Sequence, residues 1–196
     1  METAVHQCII DIETTGLPDC ERLLSGDFIN YQNFSQFDSC RLVQLSWIIL
    51  DTNLNELERQ LYIVKPRDFF ISPLSTLKSH GITQKHAMER GVDFSDIIDK
   101  LELALSKCSL LIGYNLDFSK NVLMSELFRR SPYTTMITKV GSMDEYCLMM
   151  RGKELLGLFK APSRRDLVKT FLSHDESTET KLGSCAALFK VFNRPS

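Results

Sequence analysis

The sequence has no C-x-x-C pair, no apolar run long enough to cross a bilayer, and no excess of either charge. Its six cysteines (Cys8, Cys20, Cys40, Cys108, Cys147 and Cys185) are scattered, and only four histidines accompany them. That spacing excludes the usual structural zinc sites. The cysteines read instead as small core residues or loop thiols of a reducing compartment. No stretch approaches the ~18 consecutive apolar residues of a membrane span. Met1 to Gln7 has neither a basic nor a long apolar segment, so no secretory signal is expected. The chain reads as intracellular and soluble, nuclear or cytoplasmic, with no membrane partner. Its 23 Lys+Arg against 25 Asp+Glu give a formal charge of −2. This excludes a strongly basic nucleic-acid binder while leaving room for a local basic patch. Glycine and proline are sparse, nine and six among 196 residues, and 43% of the chain is hydrophobic. Fibrous and disordered classes are thereby excluded. One domain spanning 1–196 is expected, burying roughly 70% of its unfolded surface.

Cys8-Ile9-Ile10-Asp11-Ile12 is a short apolar run halted at Thr14-Thr15-Gly16-Leu17-Pro18, which predicts a buried strand ending in a turn. Residues 18–40 are polar and aromatic without a period and read as an insertion, with room for one helical turn. Arg41 to Asp51 predicts a second strand and Leu61 to Val64 a third, stopped by Lys65-Pro66, in an antiparallel meander. The period then changes. Helices are predicted from Ser72-Pro73 to Ser79, after Thr83, over Phe94–Ser106, from Asn115 through Phe128, over Met143–Met150, Arg165–Leu172 and Lys181–Phe192. Leu110-Leu111-Ile112 predicts a further strand. Strands followed by helices alternating with strand make an α/β domain.

Asp11 and Glu13 are two apart on a strand and so project from one face. Two carboxylates placed together at the end of an apolar strand repel unless a cation lies between them. Mg²⁺ and Mn²⁺ prefer such oxygen ligands, and two ions ~3.5–4 Å apart activate a water and stabilise a leaving oxygen. Without such ions, D-x-E merely marks a solvated strand end.

The D-I-E-T-T-G run at 11–16 resembles the first motif of the DEDD 3′–5′ exonucleases, specifically their DnaQ-like, DEDDh-type group. Arg41–Asp51 and Tyr62–Pro66 are similar to that family's second and third strands. So are Pro73 with His80-Gly81-Ile82-Thr83, Leu111–Asn115, and Phe159-Lys160-Ala161-Pro162 with Leu167 to later segments. The resemblance spans nearly the whole chain. It implies a three-layer α/β ribonuclease H-like fold with a mixed central sheet. It also implies an ancestral two-metal phosphodiester hydrolysis using Mg²⁺ or Mn²⁺, with Asp11 and Glu13 as catalytic and metal-binding residues.

The later motifs depart from the family. N-x-x-F-D is matched by Asn115-Leu116-Asp117-Phe118-Ser119, which puts Ser119 at the metal-binding aspartate. Asp117 lies two residues back, ~200° around a helix, and points elsewhere. The third motif, a histidine followed five residues later by an aspartate, admits two registers. One uses His174 and Glu179. The other, favoured because a two-residue slip would turn the apolar stripe of the last helix off the sheet, puts Glu176 at the base and Lys181 at the aspartate. In that register a lysine ammonium takes the place of a lost cation and pairs with Asp11 or Glu13.

Among the remaining residues, His80 and His86 read as surface histidines and His174 as a solvated loop residue or the general base. Arg129-Arg130 and Arg164-Arg165 read as exposed helix ends or phosphate contacts. Phe28, Tyr31, Phe34 and Phe37 read as cover for the insertion, as base-stacking residues, or as a docking surface. Three functions stay open. The leading one is a pseudoenzyme on an exonuclease fold that binds nucleic acid, DNA or RNA, or a protein partner, with no cofactor. The second is an active Mg²⁺-dependent 3′–5′ exonuclease using Asp11 and Glu13 with displaced Asp117, His174 and Glu179. The third is a structural subunit.

Overall fold

The computed structural model describes residues 6–19, 30–75, 80–130, 133–172 and 180–193. Its strands are β1 (His6–Thr14), β2 (Leu42–Leu50), β3 (Glu56–Ile63), β4 (Cys108–Gly113) and β5 (Asp144–Cys147). They form one sheet in the order β3-β2-β1-β4-β5. β2 runs antiparallel to both its neighbours, β1 and β3, while β4 and β5 run parallel to β1. The helices are α1 (Pro73–Ser75), α2 (Gln84–Arg90), α3 (Phe94–Leu105), α4 (Leu116–Arg129), α5 (Thr134–Ser142), α6 (Leu148–Leu155), α7 (Arg164–Phe171) and α8 (Lys181–Phe192).

The central strand shows why the fold has three layers. Successive side chains of β1 alternate between faces. Cys8, Ile10 and Ile12 enter a core closed by α3, α4 and α5, with Trp47, Leu101, Leu123 and Met136 fully or nearly fully buried there. Ile9 enters the opposite core with Ile48, Ile112, Leu167, Cys185 and Leu188, under α6, α7 and α8. Asp11 and Glu13 have the parity of Ile9. Both carboxylates therefore face α7 and α8, and the face of the sheet fixes which helices can answer them.

Helix ends follow local chemistry. Thr83 accepts from the His86 N–H at 3.0 Å to start α2, and Ser163 and Asp166 form a capping box on α7. Thr180 accepts from the Gly183 N–H at 3.0 Å and begins α8 at Lys181. Asn115 adopts a left-handed conformation (φ 50°), tolerated by its short polar side chain, where the chain turns from β4 into α4.

Some expectations are corrected. Met143–Met150 is not one helix. Asp144–Cys147 is the parallel edge strand β5, and the helix begins only at Leu148. Its two leading acidic residues are exposed, so the strand shows no apolar alternation. α5 lies where no element was expected. β3 starts at Glu56 rather than Leu61 and ends at Ile63, with Val64 bridging Val92 instead. Residues 76–79 of the expected Ser72–Ser79 helix and 20–29 of the insertion lie outside the described residues. The rest of the insertion covers the end of α4. Phe37 is buried, while Tyr31 packs edge-on and Phe34 tilted against Phe128, both at 6.1 Å between centroids. Phe28 is outside the described residues.

Candidate functional site

The strand end carrying the two carboxylates is fixed by its own turn. Thr15 Oγ1 donates to Ser39 O (2.9 Å) and accepts from the Arg41 N–H (2.8 Å). A Cβ on Gly16 would stand 2.8 Å from Ser39 O, so only glycine lets the chains approach there. The T-T-G tail thus has a structural task independent of catalysis.

Glu13 is buried, and its Oε1 is ion-paired with Lys181 Nζ at the start of α8. Asp11 faces Arg164 of α7, with Oδ1 at 3.8 Å from a guanidinium nitrogen. Each carboxylate of the pair thus has its own cation from the helical layer. Cys185, one turn into α8, lies beside Asp11 and Arg164, and burial pushes its thiol up to about 12. That thiol is inert packing rather than a nucleophile. His80 is half-buried beside Glu13, Lys181 and the Thr14 backbone, with Nδ1 accepting from the Ile82 N–H at 3.0 Å. Burial lowers its pKa. It is therefore not the surface histidine expected, whereas His86 is exposed. Gly81, at φ +71°, makes the turn that brings His80 inward.

Burial is the largest influence on Asp11. Arg164 opposes it, Glu13 adds to it and Lys181 opposes it again, leaving the group raised from 3.8 to about 6. A carboxyl raised in the folded state binds its proton more tightly there. Its contribution therefore favours folding below about pH 4 and is lost as pH climbs through 6. The cost at neutral pH is about 3 kcal/mol. Asp11→Asn removes it, so thermal melting should show the variant about 6–12 °C more stable near neutral pH and level with the parent near pH 4. A variant less stable than the parent at neutral pH would contradict this.

No protein-family model matches the chain, and no curated protein sequence matches it. Solved structures do. A product-bound exonuclease I superposes with a TM-score of 0.66 at 18% identity, over 96% of this chain and 43% of that one. E. coli exonuclease I in complex with a dA16 oligonucleotide gives 0.65 at 16% identity, over 95% and 40%. A zinc-ion-bound E. coli exonuclease I–single-stranded DNA complex gives 0.65 at 18%, over 96% and 40%. The chain has the DnaQ-like exonuclease fold. It spans less than half the length of the exonuclease I chains it matches.

On an exonuclease fold of this kind, the residues present can be tested against a pair of divalent ions. The α4 position that the motif assigns to an aspartate is Ser119, which is buried. The residue at the start of α8 is Lys181, whose ammonium already holds Glu13. Its helix sets Leu182, Cys185, Leu188 and Phe189 in the core, so the apolar stripe faces the sheet and Lys181 faces the carboxylates. Asp117, the displaced candidate, is exposed. It accepts from Asn121 Nδ2 at 3.1 Å and lies in the field of Glu145 on β5, two strands from β1. Among the described residues it shares no hydrogen-bond or ion-pair partner with Asp11. His174, Glu176 and Glu179 lie outside the described residues. Among the described residues, no group of three or more His, Cys, Asp or Glu side chains could hold a metal ion. Two carboxylates already neutralised by Lys181 and Arg164 do not fit two hard cations, whose binding rises with ligand charge.

Sequence reasoning missed two of the site's residues, His80 and Arg164. Arg164 opens α7 and looks like any exposed helix-end arginine until α7 docks on the sheet.

Proposed function

We propose that this chain is a non-catalytic protein on an exonuclease fold that binds single-stranded nucleic acid without a metal ion. The observation that carries the proposal is the Lys181 ammonium on Glu13. With Arg164 at Asp11, it sets one positive charge against each carboxylate, half the charge of two divalent ions, and neither group can lower the pKa of a bound water as a metal does. Ser119 adds no charge. The retained Glu13 then serves as a salt-bridge anchor that ties α8 to β1. The nucleic-acid assignment is supported by the fold and by the oligonucleotide and single-stranded DNA held in the matching exonuclease I structures.

Oligonucleotide binding measured in EDTA and in millimolar Mg²⁺ tests this reading. Equal affinity in the two buffers, falling steeply with salt, is expected. Binding that needs Mg²⁺, or strands shortened during the titration, would overturn it. The anchor has its own test. Lys181→Ala leaves Glu13 buried and unpaired beside Asp11, so it should destabilise the fold by about 1–3 kcal/mol in denaturant melts. An unchanged midpoint would count against the anchor.

A further inference from the structure

The connection between α6 and α7 combines features that the site does not use. Gly157, at φ +59°, ends α6 and sends the chain outward. Phe159 follows with its side chain wholly in solvent, 101% exposed. A phenylalanine ring left in water is a poor use of apolar surface unless something else covers it. Around it the charge is one-sided. From Leu148 to Leu172 there are six cations (Arg151, Lys153, Lys160, Arg164, Arg165 and Lys169) against Glu154 and Asp166, in a chain whose formal charge is −2.

The two acids are already engaged. Glu154 pairs with Arg151 at 3.2 Å, and Asp166 accepts from the Ser163 hydroxyl and N–H in the capping box. Among the described residues Lys153, Lys160, Arg165 and Lys169 make no ion pair, and the last three are exposed. The connection is also tied to the carboxylate site. Pro162 O accepts from the Tyr114 hydroxyl, and Arg164 reaches Asp11. Phe159 is three residues from Pro162, a reach of at most ~11 Å.

An exposed aromatic among unpaired cations is the arrangement that binds single strands, the ring stacking a base and the cations holding phosphates. We infer that the α6–α7 connection is a platform for single-stranded nucleic acid, with Phe159 stacking one base and Lys160 and Arg165 holding the flanking phosphates. This rests on the nucleic-acid reading above and adds to it the surface that does the binding. Anionic phosphates, rather than an apolar protein face, are the complement to a segment that joins one exposed ring to four cations without an ion pair among the described residues.

The test uses the full chain with short single-stranded DNA and RNA oligonucleotides carrying 2-aminopurine, read by anisotropy and by base fluorescence. Phe159→Ala should weaken binding about tenfold or more and abolish the fluorescence quenching, while Phe159→Trp should retain both. Lys160→Glu with Arg165→Glu should weaken binding and make the slope of log affinity against log salt shallower by about 0.7 for each phosphate no longer held. Lys107→Glu, exposed just before β4 at the far end of the sheet, should change affinity less than about twofold. All these side chains are exposed, so melting temperatures should match the parent. If the parent binds and the Phe159 and Lys160/Arg165 variants bind equally well, the platform is wrong and the nucleic-acid reading stands. If the parent binds no oligonucleotide in any buffer, both fall.

Discussion

Converting Ser119 and Lys181 together to aspartate should give a protein whose melting temperature rises by about 5–10 °C in millimolar Mg²⁺, while the parent's does not move. The argument is one of charge. In the parent, Asp11 and Glu13 are matched by Arg164 and Lys181, so the cluster is neutral and has little attraction for a hard cation. Lys181→Asp changes the balance by two charges, and Ser119→Asp adds one more at a buried position on α4. Without metal the double variant carries crowded, partly buried carboxylates and should melt well below the parent. The added ion would then recover stability the variant had lost. Each single substitution should respond less than the pair, because charge count sets the affinity of the site. A double variant indifferent to Mg²⁺ and Mn²⁺ would mean that Lys181 and Ser119 are not where a metal site was lost.

Glu126→Gln should cost about 3–5 kcal/mol, a drop of about 6–20 °C in melting temperature. Glu126 lies on α4 with its side chain 2% exposed, and it receives Arg41 Nε at 2.6 Å. Arg41 also reaches Asp68 at 2.9 Å. Glu126 further accepts the Leu42 N–H at 3.2 Å and faces Arg130 at 3.4 Å. Hydrogen bonds and charge from Glu126 and Asp68 raise Arg41 against a burial that would lower it. Removing the carboxylate charge leaves the Arg41 guanidinium, 5% exposed, with half its compensation. A double variant, Arg41→Met with Glu126→Leu, should be less damaging than Glu126→Gln alone, because no unpaired charge remains. Denaturant unfolding of the three proteins measures this. The opposite order would mean that the pair contributes net stability beyond its own desolvation.

What the sequence made legible depended on whether the signal was local. Buried strands such as β1 and β2 read correctly because continuous apolar runs bounded by turn residues are too short for most helices and too apolar for loops. α8 was legible to its first residue, and of the two registers open in the sequence the apolar spacing of Cys185, Ala186, Leu188 and Phe189 favoured the one that keeps the stripe on the sheet. That orientation put Lys181 opposite the carboxylates. β5 was not legible, because an edge strand with two exposed acids has no apolar period to display. Nor were His80 and Arg164 as members of the site. Their chemistry comes from contacts across long sequence separations, and nothing beside them in the chain announces Glu13 or Asp11. The insertion's Tyr31 and Phe34 show a choice that the sequence left open. Aromatics among polar residues read equally as cover or as a binding surface, and these pack on Phe128, while the ring of Phe159, set in a short loop, stands fully in solvent.

The central claim is that the retained Asp11 and Glu13 no longer support hydrolysis. Digestion of 3′-end-labelled single-stranded DNA and RNA in Mg²⁺ and in Mn²⁺, beside an Asp11→Ala/Glu13→Ala control, tests it most directly. The account predicts that parent and control leave the label equally intact while the parent still binds the strands. Release of the label by the parent, abolished in the control, would show that these carboxylates do assemble a working nuclease site and would contradict it.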